Sequence, residues 1–272
     1  MTHLRPVVRP GSPLLRRDAA HLQIGTTPGV VVPDRPGLLA FLRLLDGVRD
    51  LDRLRSLARS EVPELDVDPT EVLRPLIAAG AVVDASRLRP QPVRLAVSVH
   101  VDPAAHRFGS LVRGALTDVG VRDLDAPDPD LLVVVSCGEP GRAVFSAAAR
   151  QSVCHLPVVL DDDRVRLGPL VRPGLTPCLG CLDLTRADWD PAWPVLLHQL
   201  GRPGHLAAPP VVDPVLLHVA AAEVASEVRA LATGRSLPTS GAVLALGPAH
   251  DARDSWPVAF HHACGCALLP AA

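Results

Sequence analysis

At 272 residues, 48% hydrophobic and 21% charged, the chain has ample apolar surface to bury and does not have the composition of a disordered segment; its length suits two ordinary domains. Its strong bases are all arginine, 13 against 11 acidic residues in positions 1–90 and 14 against 18 beyond them, so the two parts carry +2 and −4 and neither has the positive excess of a nucleic-acid binder. No apolar run reaches about 18 residues free of charge, which removes a membrane-spanning helix, and Met1–Gly11, broken by Pro6 and Pro10, does not read as a secretory signal. A cytoplasmic protein with neither membrane nor nucleic acid among its partners is expected.

In chain order, Pro13–Arg17, His21–Gly25 and Gly29–Val32 are short extended runs between turn residues, a small meander whose last member, Val30-Val31-Val32, is strongly β-branched. Leu38, Leu39, Phe41, Leu42 and Leu45 then recur at helical spacing until Gly47, and Leu51, Leu54, Leu57 and Ala58 mark a second helix. A third opens with Asp68 as N-cap and Pro69 in the first turn, carries Val72, Leu73, Leu76 and Ile77, and should kink at Pro75. Ala81–Asp84 reads as a strand. Three helices and a strand make a winged-helix-like unit, and the Pro-rich stretch 87–92 is the expected boundary.

From residue 93 the texture becomes α/β: extended Val93–Val101, helix Ala104–Val119, buried strand Asp130–Cys137, helix Arg142–Ser152 and strand Cys154–Leu160. This alternation predicts parallel pairing through crossover helices, a Rossmann-like sheet. Asp161-Asp162-Asp163 reads as a solvent-exposed hairpin turn rather than a cation site, because adjacent carboxylates repel. Asp213 and Pro214 open a further helix that Gly234 ends.

The informative constellation is Cys178 and Cys181 with two residues between them, and Cys264 and Cys266 with one. Two remote thiolate pairs on loops supply the four ligands of a closed, structural zinc site, with Gly180 and Gly265 allowing tight turns. The alternatives are two disulfides, unrelated buried cysteines, a redox pair and an iron–sulfur cluster; the second pair speaks against the redox reading, and the spacing matches no common cluster run. His261 or His262 in place of a thiolate is a further variant. Cys137 and Cys154, at strand ends, read as small hydrophobes rather than nucleophiles. His198, His205 and His218 are scattered, and Trp189 and Trp193 offer either an aromatic contact surface or local packing.

GPLVRPGLTPCLGCLDL (168–184), RADWDPAWP (186–194) and the late CGC resemble the ThiF-like cyclodehydratase subunits of azole-forming peptide biosynthesis, the leader-peptide-binding proteins of thiazole/oxazole-modified microcins. The resemblance covers roughly residues 93–272, and residues 1–90 look like a PqqD-like recognition element fused in front. It implies a winged-helix-like peptide-recognition domain (1–90) and a degenerate ThiF-like α/β zinc-binding domain (91–272). The partners implied are a precursor leader peptide and a YcaO-type protein, with a homodimer allowed for. In such elements a peptide adds as an extra strand; Val30, Val31 and Val32 would supply the edge, and Val72, Leu73 and Leu76 the helical wall. Ser98–His106 lacks the glycine-rich phosphate loop of adenylating relatives and the chain has no lysine, so no ATP use is expected. The competing readings are a working adenylating or cyclodehydrating enzyme and a winged-helix DNA-binding regulator. Near-neutral charge and a third helix bearing only Arg74 weigh against the regulator.

Overall fold

The computed structural model describes residues 4–88, 93–201, 208–248 and 252–268. By internal contact the chain divides into two compact units, Met1–Pro90 and Gln91–Ala272. The prolines expected at the boundary, and His205, lie outside the described residues. Among those described, no helix is long and apolar enough to cross a membrane.

The N-terminal unit runs β1 (Pro6–Val8), β2 (Leu14–Arg16), β3 (His21–Ile24), β4 (Val30–Pro33), α1 (Leu38–Arg43), α2 (Leu51–Glu61), α3 (Pro69–Ala78) and β5 (Val82–Asp84). β2, β3 and β4 form an antiparallel sheet, and β1 pairs antiparallel with β5. On β3, alternate residues Leu22 and Ile24 are buried and meet Val32 and Val30 of β4 across the ladder, the period-2 pattern of a sheet with one buried face. They pack on Phe41, Leu42, Leu54, Leu73 and Leu76 from the three helices. Asp50 and Asp68 cap α2 and α3 by accepting from the Arg53 and Thr70 amides at 2.8 and 2.7 Å, and Arg55 of α2 donates to Thr70 Oγ1 at 2.8 Å. α3 continues through Pro75. Proline leaves the carbonyl four residues back without its partner, but Glu71 and Pro75 share the exposed face, so water can satisfy it.

In the C-terminal unit, β6 (Val97–Val101), α4 (His106–Asp118), β7 (Leu131–Cys137), α5 (Arg142–Arg150) and β8 (Cys154–Asp161) make two crossover units with all three strands parallel. Beyond β8 the strands are antiparallel, beginning with the hairpin turn expected at Asp161-Asp162-Asp163. β9 (Arg164–Leu167) returns antiparallel from a tight turn with Asp162 at φ 51°, and β10 (Ala242–Leu246) and β11 (Arg253–Pro257) extend the sheet antiparallel. A turn this short permits only an antiparallel return. Helices α6 (Leu179–Trp189), α7 (Trp193–Leu200) and α8 (Pro214–Ala232) complete the unit.

Alternation on β7 defines two covered faces. Leu131, Val133 and Val135 join Phe108, Val112 and Leu116 of α4 and Val224 and Val228 of α8, while Val134 joins Phe145 of α5 and Leu179 and Leu182 of α6. Among the described strands the order is sequential, β6 through β11, without the reversal that opens a ligand crevice in doubly wound folds. The outer edge of β6 is covered by a loop: Val99 N donates to Leu124 O and the Ala126 amide to Val97 O. Arg113 pins that loop by a two-pronged bond to Asp125 at 3.0 and 2.6 Å.

Candidate metal centre

Cys178 is the N-cap of α6 and Cys181 lies in its first turn, so the CxxC that reads as a loop in the sequence is the start of a helix. Thr176 sets the approach, accepting from the Arg172 amide at 2.8 Å and donating to Leu170 O at 3.1 Å. Cys264 and Cys266 arrive on a segment bound to the same helix through His261, which pairs Nε2 with Asp188 at 2.9 Å and accepts the Ala263 amide on Nδ1. With both nitrogens engaged, His261 is not placed to replace a thiolate.

The four sulfurs all lie within 4.8 Å of one another, with 178–181 at 4.0 Å, 178–264 at 3.6 Å and 181–266 at 3.3 Å. A tetrahedron with metal–sulfur arms of about 2.3 Å has edges of about 3.8 Å, whereas a disulfide needs about 2.05 Å. The four thiols are therefore placed to hold one metal ion, and their chemistry fits zinc. Gly180 matters here for space: a Cβ would stand 3.3 and 3.5 Å from the sulfurs of Cys178 and Cys264. Gly265 has nothing within 4 Å of a Cβ, so the space reason does not extend to it. Without a cation the set resists full ionisation. Burial drives the Cys178 thiol up and that of Cys266 to about 11; Cys181, also opposed by burial, is lowered by a backbone hydrogen bond at His261 and by the Cys266 thiol. A divalent cation reverses that balance and deprotonates its ligands.

Beside this centre lies a charge network that sequence reasoning missed. Gly138, at φ +71°, turns the chain out of β7 and places Glu139 among three arginines, where it is 9% exposed. Glu139 accepts from Arg142 at 2.9 Å, Arg166 at 2.7 Å and Arg186 at 2.9 Å. Asp183 of α6 holds Arg142 by two bonds of 2.7 and 2.8 Å, and Asp161 takes Arg166 at 2.9 Å. Burial raises the Glu139 carboxyl, but Arg166, Arg142 and Arg186 together hold it down at about 2. The network fixes α6 to α5, β8 and β9. Its members come from three stretches far apart in sequence, residues 139–142, 161–166 and 183–186, so no local motif announces it.

At the C-terminal ends of β6–β8 lies a cavity of about 280 Å³ lined largely by apolar groups, among them Ala104, Phe108, Cys137, Leu160, Val212 and Leu217. Gly109 keeps the helix–strand contact of a dinucleotide loop: a Cβ there would collide with the Val101 methyls, Cγ2 at 2.7 Å. The two glycines that such a loop carries three and five residues earlier are His106 and Ala104 here. Cys137 and Cys154 both have thiols raised by burial, the opposite of nucleophile activation. His218 is exposed and paired with Pro214 O at 2.8 Å.

For the peptide groove, β4 pairs only with β3 among the described strands, leaving its outer edge open, with Val31 42% exposed. Val30, Val32 and Val72 are half-buried against the N-terminal core. Leu73 and Leu76 are each 1% exposed, so they fill the core beneath the surface, because the i, i+3 spacing that marks an apolar helix face cannot tell a groove wall from a core wall.

The fold and the cysteine cluster together define an α/β protein of two compact units with a candidate four-thiolate metal centre. No protein-family model matches the chain, and no curated protein matches it. Among solved structures it is similar to the heterocyclase TruD, at 18% identity and TM-score 0.66, over 97% of this chain and 43% of that one. It is also similar to E. coli MccB bound to succinimide (13%, TM-score 0.54, 96% and 98% of the chains) and to the E. coli microcin synthetase McbBCD complex with pro-MccB17 bound (16%, TM-score 0.51, 97% and 99%). At these identities the likeness establishes fold and leaves function to the site. The chain spans less than half the length of TruD.

Proposed function

We propose that this chain is a leader-peptide-binding scaffold of azole-forming peptide biosynthesis, which presents a ribosomal precursor peptide to a YcaO-type cyclodehydratase without itself catalysing azoline formation. The observation that supports the reading is the likeness to a heterocyclase, at TM-score 0.66 over 97% of this chain. On this reading the part shared with TruD holds the precursor, and the chemistry is assigned to a partner protein. The precursor bound in the McbBCD structure supports a peptide substrate.

On this reading the N-terminal unit is a winged-helix-like, PqqD-like recognition element. A leader strand pairs with the open edge of β4, Val31 and Val72 offer apolar contact, and Leu73 and Leu76 support that wall from within the core. Zinc on Cys178, Cys181, Cys264 and Cys266 is structural, with no position left open for substrate. Val31→Pro removes a donor from the edge strand and is expected to weaken leader binding about tenfold or more, read by fluorescence polarisation on protein whose circular dichroism is unchanged. Unaltered affinity would place the groove elsewhere.

The adenylating-enzyme reading needs a phosphate cradle after β6, where Ala104 and His106 stand in place of glycine and no lysine is available. Titration calorimetry with ATP and magnesium is expected to give no micromolar binding, and the isolated chain no pyrophosphate. Either signal would favour the enzyme.

A further inference from the structure

A second strand edge is open in the N-terminal unit. β5 pairs only with β1 among the described strands. The register fixes which of its backbone groups are used. The Arg9 amide donates to Ala81 O and the Ala85 amide to Arg5 O, each at 2.9 Å, so in the ladder between them Val83 exchanges hydrogen bonds with Val7. Bonded and non-bonded pairs alternate along an antiparallel ladder, and the N–H and C=O of Val82 and the N–H of Asp84 therefore point away from β1. No described residue takes them up. Val82 is nevertheless 1% exposed, and buried backbone donors and acceptors are almost always paired. The far side of β1 differs, since Val7 is bridged to Asp46 and Pro6 O accepts the Gly47 amide at 3.2 Å.

This edge borders a cavity of about 710 Å³ lined by the apolar side chains of Leu4, Ile77, Val82 and Val83, with the exposed Arg9 and Arg87 beside them. A narrower recess that shares Leu4 and Ile77 continues it along α3 to Arg74. Among the described residues none of these three arginines stands in an ion pair. Asp84, the acidic residue of the lining, already accepts the Ser86 amide at 3.0 Å. We propose that this groove binds an extended peptide segment in which carboxylate and apolar side chains alternate, a second stretch of the precursor beside the one given to β4. This rests on the scaffold reading above. Two observations choose the occupant. The open backbone groups of Val82 and Asp84 call for an extended chain, which pairs with them as an added strand. Its period of two then sends one set of side chains onto Leu4 and Ile77 and the other toward the arginines, whose charge selects carboxylates. A second copy of this chain docked through β5 would set arginine against arginine.

The test is fluorescence polarisation on the full-length chain with a labelled synthetic peptide alternating valine and glutamate, and with versions carrying serine or lysine for glutamate. The glutamate peptide is expected to bind, the serine version about tenfold more weakly and the lysine version not at all, and added salt should weaken the first. Arg9→Glu and Arg87→Glu, both at exposed positions, should together weaken it about tenfold or more with Tm unchanged, whereas Val31→Pro should leave this probe's affinity as it was. N-methylating the amides along one edge of the peptide should abolish binding and along the other edge should not, which reads the backbone pairing directly. The leader of the precursor encoded beside this chain should displace the probe. No binding of the glutamate peptide, equal binding of the serine version, indifference to both arginine changes, or loss of the probe on Val31→Pro overturns the β5 groove. A leader that binds, is lost on Val31→Pro and does not displace the probe also overturns it, while the scaffold reading stands. A leader that does not bind the wild type at all sinks that reading and, with it, the precursor as occupant.

Discussion

Chelating zinc from the cluster of Cys178, Cys181, Cys264 and Cys266 is expected to destabilise the C-terminal unit by several kcal/mol. A metal ion held there would join the first turn of α6 to residues 264–266, and its removal would return closely packed thiols to a set that cannot ionise together. Zinc-finger peptides obtain about 10–16 kcal/mol from such a site. This unit has its own two-faced core, so the loss should be a fraction of that, about 3–5 kcal/mol. Elemental analysis should give about one zinc per chain, and urea unfolding before and after chelation should show an early transition confined to the C-terminal unit. Cys264→Ser should reproduce it. Protein free of metal, with all six cysteines reduced and stability unchanged, would refute the assignment.

The second large effect belongs to Glu139. Glu139→Gln keeps the shape and removes the anion that three arginines share, leaving buried positive charge uncompensated, a change that costs about 3–5 kcal/mol when one partner of a buried pair is lost. Its pH dependence follows from the depressed carboxyl. A group held near 2 in the folded chain, against an ordinary 4.5, contributes stability that is complete above about pH 4.5 and is lost as pH falls toward 2. The gap between wild type and Glu139→Gln should therefore be constant from neutral pH to about 4.5 and close below it. A gap unchanged between pH 5 and pH 2.5, measured by urea unfolding, would mean that Glu139 does not carry the network.

Much of the architecture follows from local chemistry that a sequence displays. Asp50 and Asp68 cap helices as aspartate does ahead of an apolar period, β4 ends the meander where three β-branched residues stand, and Leu131–Cys137 is buried on both faces as its apolar run from Leu131 to Val135 implies. The four cysteines converge although the two pairs lie more than 80 residues apart, because thiolate spacing is a chemical signal that needs no knowledge of the path between. Other features depend on that path. β10 and β11 are placed by pairing with strands distant in sequence, α6 starts within a segment whose prolines and glycines suggest a loop, and Glu139 reaches Arg166 and Arg186 only through the return of β9 and α6. For Leu73 and Leu76 the periodicity states that their face is buried, not what buries it.

The spacing of the cysteines along the chain also says when the metal can act. Cys178 and Cys264 lie 86 residues apart, and α8 and β10 lie between them. A crosslink over a loop of that size removes about 4–5 kcal/mol of chain entropy from the unfolded ensemble, yet the same separation makes it a poor starting point for folding, since the ends must meet before any closer contact rewards them. Cys178 and Cys181 on their own give an ion only half a coordination shell. A full coordination shell needs the later pair brought to α6, so metal capture is expected to follow the pairing of β10 with β9, which would make the ion a lock on a sheet already in register.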